Sequence, residues 1–158
     1  MAKLIDRLDR KILNVILNNA RTPFKDIADV CGVSRAAVHQ RVMRLIEKKV
    51  VVGSGYKVDS RKLGYTTFAY IGMKLERGSL YQKVTDQIKT IPEVMECHYT
   101  TGPYALLIKV SAKDNDHLMK ILSEKIQIIE GVVSTETLIS LAEAFARPFH
   151  VNEDDTLD

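Results

Sequence analysis

Apolar positions in the first sixty residues recur at helical spacing. Over 6–19, Leu8, Ile12, Leu13, Ile16 and Leu17 share one stripe, Asp6 stands where an N-cap belongs, and Arg7, Arg10 and Lys11 lie outside the stripe. This predicts an amphipathic first helix. Thr22-Pro23 supplies an N-cap and a proline at the first helical position, and Phe24, Ile27, Ala28 and Cys31 continue periodically to a stop at Gly32. A short second helix is expected there. Ser34 then caps a third helix in which Val38, Val42, Leu45 and Ile46 face inward while Arg35, Ala36, His39, Gln40, Met43 and Arg44 face out. The β-branched run Val50-Val51-Val52, bounded by Gly53 and Gly55 and followed by Tyr56-Lys57-Val58, predicts a short strand pair or wing.

Asp59-Ser60-Arg61-Lys62-Leu63-Gly64 has linker character, and the pattern changes after it. Strands are expected over 66–75, 94–101, 104–112 and 132–142, with helices over 79–91 and 115–129 and turns at Gly102-Pro103 and Gly131. The first of these helices buries Leu80, Val84, Ile88 and Ile91; the second buries Leu118, Ile121, Leu122, Ile126 and Ile129. This is a βαββαβ series, the split βαβ arrangement of ferredoxin-like domains. The expected fold class is α+β: an N-terminal three-helix winged helix-turn-helix over 1–58, a linker over 59–65, a C-terminal ferredoxin-like domain over 66–145 and a tail over 146–158. Phe145, Pro148 and Phe149 are expected to fold back on the domain, and Glu153-Asp154-Asp155 through Asp158 to form a solvated acidic tail.

Both faces of the expected sheet are apolar. Ala69, Ile71, Met73 and Leu75 alternate with Phe68 and Tyr70, and Leu106, Ile108 and Val110 with Leu107. Helices cover only one face of such a sheet, so the other needs a cover. A second copy of the chain, in a symmetric dimer, is the expected one.

Charge separates the two parts further. The net charge of +3 divides into 12 Lys+Arg against 6 Asp+Glu over residues 1–60 and 11 against 14 over 61–158. A +6 head joined to a −3 body suits a polyanion at the first part only. With 46% hydrophobic residues the 158-residue chain is not intrinsically disordered, and it holds neither an 18-residue apolar run nor a signal-peptide pattern. A cytoplasmic protein without a membrane partner is expected. Cys31 and Cys97 have no partner at metal-site spacing and are expected as buried reduced thiols.

Helices two and three, joined by Gly32-Val33, have the helix-turn-helix layout, so the outward face of the third can enter the major groove of double-stranded DNA. Arg35, His39, Gln40, Arg41 and Arg44 offer donors to phosphates and base edges, Ala36 lies on the same exposed side, and Ser34 brings a hydroxyl to a phosphate at the helix start.

Ile27-Ala28, Gly32-Val33-Ser34, Val38, Arg41-Val42 and Leu45, then Leu63-Gly64-Tyr65, then a βαββαβ domain, resemble the Lrp/AsnC (feast/famine) transcription regulators over about residues 4–145. Tyr99-Thr100-Thr101-Gly102, Tyr104, Ile108-Lys109-Val110, Lys125-Ile126-Gln127 and Ser134 through Ile139 are more similar to the asparagine-responsive branch. The resemblance implies that the C-terminal domain dimerises, that dimers assemble further to an octamer as a tetramer of dimers, and that a free amino acid, asparagine first, binds between dimers. No cofactor is implied. An amino-acid zwitterion needs acceptors at its ammonium and donors at its carboxylate. On the resemblance, Tyr99, Thr101, Gly102, Tyr104, Gln127, Thr135 and Thr137 are the candidate effector residues. Gly102 serves either close approach of a ligand or an ordinary hairpin turn with Pro103, and the two are compatible. Three positions depart from the family: Pro103 and Ala105 stand in the loop where many members place an acidic residue. Lys49 replaces the usual glycine after the recognition helix, so it takes a left-handed conformation or the helix ends differently.

Enzymatic chemistry has no motif to stand on. Cys97 and His98 are adjacent in a strand and point to opposite faces, and His39, His98, His117 and His150 are scattered. Two other readings compete with an amino-acid-responsive regulator. One is a metabolite-sensing ferredoxin-like protein that acts on an enzyme by direct contact, and the other is an architectural protein that wraps DNA with little base preference. The outward arginines speak against the first, since a protein-docking face favours apolar anchors.

Overall fold

The computed structural model describes residues 5–154, in two compact units: residues up to Lys57 together with Phe145 onward, and Val58–Ala144. Asp155 and Asp158 of the expected acidic tail lie outside the described residues.

The first unit contains α1 (Arg7–Asn18), α2 (Phe24–Cys31) and α3 (Arg35–Glu47). Asp6 caps α1 in a reciprocal capping box with Asp9: each carboxylate accepts the other residue's backbone N–H at 2.9 Å. Ser34 caps α3 as expected, accepting from the Ala37 N–H at 3.1 Å, and Gly32 ends α2 in a left-handed conformation with φ 68°. Thr22 does not cap α2; its hydroxyl donates back to the Asn19 carbonyl at 2.8 Å, and Pro23 holds the cap position. Ile12, Ile27, Ala28, Val38 and Val42 form the core between the three helices. Ile46, expected to face inward, is exposed.

The expected wing is not formed. Residues 50–58 contain no strand, because the N–H groups of Val50 and Val51 both donate to the Leu45 carbonyl as the end of α3 curls over. Lys49 adopts the left-handed conformation that makes this curl possible, with φ 56°. Val50 and Val51 then pack beside Leu13 and Leu45 instead of pairing in a ladder.

The second unit is a four-stranded antiparallel sheet in the order β2-β3-β1-β4, with β1 (Thr67–Leu75), β2 (Val94–Tyr99), β3 (Leu106–Ala112) and β4 (Val132–Ser140). The linker supplies a 3-10 turn over Ser60–Leu63. Helices α4 (Tyr81–Ile88) and α5 (Asn115–Lys120) cover one face, where Val84, Ile88, Leu118 and Ile121 pack on Ala69, Ile71, Met73, Leu106, Ile108 and Val110. The helix expected over 115–129 continues beyond α5 as a π-helical turn, Ile121–Ile126, with the Gln127 N–H donating to the Leu122 carbonyl. Ile121 and Ile126 explain it. Both are fully buried, yet five residues of α-helix would turn them about 140° apart. The wider turn brings both onto the sheet. Phe68, Tyr70, Leu107 and Leu138 alternate with the core residues and point to the face without helices.

Candidate DNA-reading face and effector residues

Helix α3 presents two kinds of surface. Ser34, Arg35, Ala36, His39 and Gln40 are exposed, opposite the buried stripe of Val38, Val42 and Leu45. The His39 ring meets the Phe24 ring of α2 edge-on at 5.8 Å, which steadies it without burying it. Arg41 and Arg44 are engaged elsewhere. Asp9 of α1 is fully buried, and its carboxylate receives Arg41 Nη1 at 3.1 Å on one oxygen and Arg44 Nη2 on the other, while Arg41 also pairs with Asp6. The arginines therefore lock α3 onto α1. Burial pushes the Asp6 carboxyl up, but the hydrogen bond from Arg41, with the charges of Arg41 and Arg44, outweighs it and holds the group below its ordinary value of 3.8. Arg41 is correspondingly raised, first by its hydrogen bond to Asp6.

Asp6 and Asp9 anchor α3 to α1, a structural role that periodicity alone does not reveal. Their signal was the i, i+3 spacing of two acids at a helix start, which marks a capping box and here doubles as an anchor for two arginines.

The candidate effector residues do not converge within one chain. Tyr99 ends β2, one edge of the sheet, and its ring stacks on Tyr81 at 4.6 Å. Thr101 and Gly102 follow in the exposed β2–β3 turn, where the Thr100 hydroxyl donates to the Tyr104 carbonyl at 2.8 Å. Gly102 has φ 113°, and a Cβ added there would meet nothing within 4 Å, so its main chain is open to an approaching group. Thr135 and Thr137 lie on β4 at the opposite edge, with Gln127 Nε2 donating to Thr135 Oγ1 at 2.9 Å. Tyr104 belongs to the other face: its ring covers Gly72, where a Cβ would come within 2.6 Å of it, and its phenol pairs with Glu136. Lys125, next to Gln127, donates from Nζ to Glu93 Oε1 at 2.6 Å. Cys31 and Cys97 are free thiols, half-buried, each pushed up first by burial.

A helix-turn-helix unit with an exposed recognition helix, continuous with a βαββαβ sheet domain, defines a two-part DNA-binding regulator with a sensing body. Residues 5–46 match the AsnC-type helix-turn-helix domain, and residues 68–148 match the Lrp/AsnC ligand binding domain. The chain belongs to the Lrp/AsnC family of transcription regulators. Regulatory protein AsnC of Haemophilus influenzae is 39% identical over 143 residues, covering 90% of this chain and 95% of that one. The structure of Escherichia coli AsnC superposes with a TM-score of 0.87 at 36% identity, covering 92% of this chain and 98% of that one. A feast or famine regulatory protein from M. tuberculosis, solved in complex with L-methionine, has the same fold at a TM-score of 0.87 and 22% identity, covering 93% and 99%. Among the described residues no helix is long and apolar enough to cross a membrane, and no group of three His, Cys, Asp or Glu side chains is placed to hold a metal ion.

Proposed function

We propose that Ser34, Arg35, Ala36, His39 and Gln40 read DNA directly, that Arg41 and Arg44 set the angle of that face, and that occupancy responds to a free amino acid, asparagine first. The observation that carries the reading is the exposed Arg35–Gln40 face of α3 opposite its buried stripe. Arg and Gln there suit bidentate base contacts, while the Ser34 hydroxyl, whose oxygen is used in capping, keeps its hydrogen for a phosphate. The regulator acts through DNA occupancy in the cytoplasm and not through catalysis.

For the effector, the split placement of the residues supports a site made between copies. The Thr101–Gly102 turn of one copy offers open main chain, and the Gln127, Thr135 and Thr137 edge of another offers an amide and hydroxyls; together they supply donors for a carboxylate and acceptors for an ammonium. Tyr99 and Tyr104 flank the turn. An effector bound there favours one assembly over another, up to an octamer, and so changes how many heads engage DNA together. It acts only through its difference in affinity for the two assemblies.

Gel-shift titration against the chain's own promoter and a scrambled duplex, at two salt concentrations, tests the DNA reading. Preference for the promoter at both is expected; equal affinity for the two duplexes would favour the architectural alternative. Thermal shift with the twenty amino acids, coupled to size exclusion, tests sensing. A response to none of them would remove it.

A further inference from the structure

The chain comes back to its first unit at its far end. β4 stops at Ser140, and Phe145 onward belongs to the compact unit of α1, α2 and α3. The seat is one face of α1. Val151 is 7% exposed and inserts against Leu13 of α1 and Leu45 of α3, with Ile16, Val50 and Val51 around it. Asn14 brackets the main chain of the same residue: its Nδ2 donates to the Val151 carbonyl at 2.8 Å and its Oδ1 accepts from the Val151 N–H at 3.1 Å. A side-chain amide here does what a neighbouring strand does in a sheet. Arg10, 6% exposed although charged, donates from Nη1 to the Asn152 carbonyl at 3.1 Å. Arg7 pairs with Asp154 at 3.5 Å, but both side chains are well exposed, so this pair adds little.

Positions 7, 10 and 14 share one side of the helix. The stripe of α1 that faces α2 and α3 needs none of them for its apolar core, and DNA reading has no evident use for a buried arginine turned to main-chain atoms. A helix face that holds a segment by the main-chain groups of two consecutive residues and by one β-branched side chain is a peptide-docking surface.

We propose that this face of α1 is a docking site for the chain's own C-terminal segment, residues 150–154, and that the docked segment is a releasable strap on the DNA-reading head. The strap touches both helices that fix the recognition face: Val151 meets Leu45 of α3, and α1 also carries the Asp6 and Asp9 that hold Arg41 and Arg44. The three helices keep a core of their own, Ile12, Ile27, Ala28, Val38 and Val42, in which Val151 has no part, so the segment can leave its seat without dismantling the head. The segment continues from β4, the strand that bears Thr135 and Thr137, so the strap joins the proposed effector edge to the head by chain continuity. The head's ligand and the effector edge rest on the proposed function; the docking itself does not.

Hydrogen exchange of the full chain tests the strap without DNA. The Val151 amide, which donates to Asn14 Oδ1, is expected to be protected in the wild type and to exchange at least tenfold faster in Asn14→Ala and in Val151→Asp, while the sheet unit is unchanged. Equal exchange in wild type and both variants would overturn docking. Protection that disappears on dilution of the dimer would hand the segment to a second copy and overturn the intrachain strap. In gel shift on the promoter duplex, Val151→Asp is expected to weaken binding at least threefold, and unchanged affinity would overturn the action on the head. A wild type that bound no DNA would sink the proposed function while the exchange result still decided the strap.

Discussion

Arg35 and Arg44 are both cationic residues of one helix, yet they have different work. Arg44 Nη2 sits on the carboxylate of Asp9, which has no exposure to water, so Arg44→Ala removes a charge partner from a buried acid. Losing one partner of such a group costs about 1–3 kcal/mol, and the head is expected to melt several degrees lower by circular dichroism. Arg35→Ala removes an exposed side chain and is expected to leave melting unchanged while weakening promoter binding roughly tenfold, within the 1–3 kcal/mol of a base contact. The anchor also has a pH signature. Because Asp6 is held below 3.8 in the folded chain, its contribution is complete above that value and is lost as pH falls through the lower, folded one. Arg41→Gln is expected to remove that acid-side dependence from a urea midpoint measured between about pH 5 and 2; an unaltered profile would show that Asp6 draws its stabilisation elsewhere. Helical periodicity placed Arg44 outside the apolar stripe correctly, but it could not tell exposure to solvent from contact with a buried acid on another helix.

The helices with side-chain caps were legible because their signals are local. Asp6 and Ser34 cap where they should, and Gly32 stops α2 in the left-handed conformation expected of it. Two elements escaped for nonlocal reasons. The Val50–Val52 run has strand propensity, but its first two donors are consumed by the Leu45 carbonyl and its first two side chains by the Leu13–Leu45 cluster. The π turn follows from the need to bury Ile121 and Ile126 together, which no window of propensity contains. The end of α3 gives a prediction at this scale. Lys49, with φ 56°, sits where a side chain costs about 1 kcal/mol relative to glycine, so Lys49→Gly is expected to raise the melting temperature of the head by several degrees. No gain would mean that the lysine's own contacts offset the backbone cost.

At the scale of the whole molecule the candidate effector residues divide into two groups. Sequence order brings Tyr99, Thr101 and Gly102 near one another and Gln127, Thr135 and Thr137 near one another, but the β2-β3-β1-β4 order puts the two groups on opposite edges, a fact about topology that residue spacing does not carry. Alternation along β1 and β3 did reveal the face without helices. On it Tyr70 stands opposite Leu138, and Leu138 is 55% exposed in the single chain, so Leu138→Asp costs the isolated fold little and burdens any second copy with an unpaired carboxylate. Sedimentation of Leu138→Asp is expected to give monomers with an unchanged far-ultraviolet spectrum. The consequence should reach DNA. A dimer presents two heads, the second of which binds as an intramolecular partner of the first. Monomers should therefore lose far more affinity than the factor of two in head number, and the slope of log K against log salt should fall to about half, because each complex then neutralises about half as many phosphates. A monomer that kept the wild-type slope would show that a single head makes all the phosphate contacts, and the body's self-association would need another purpose.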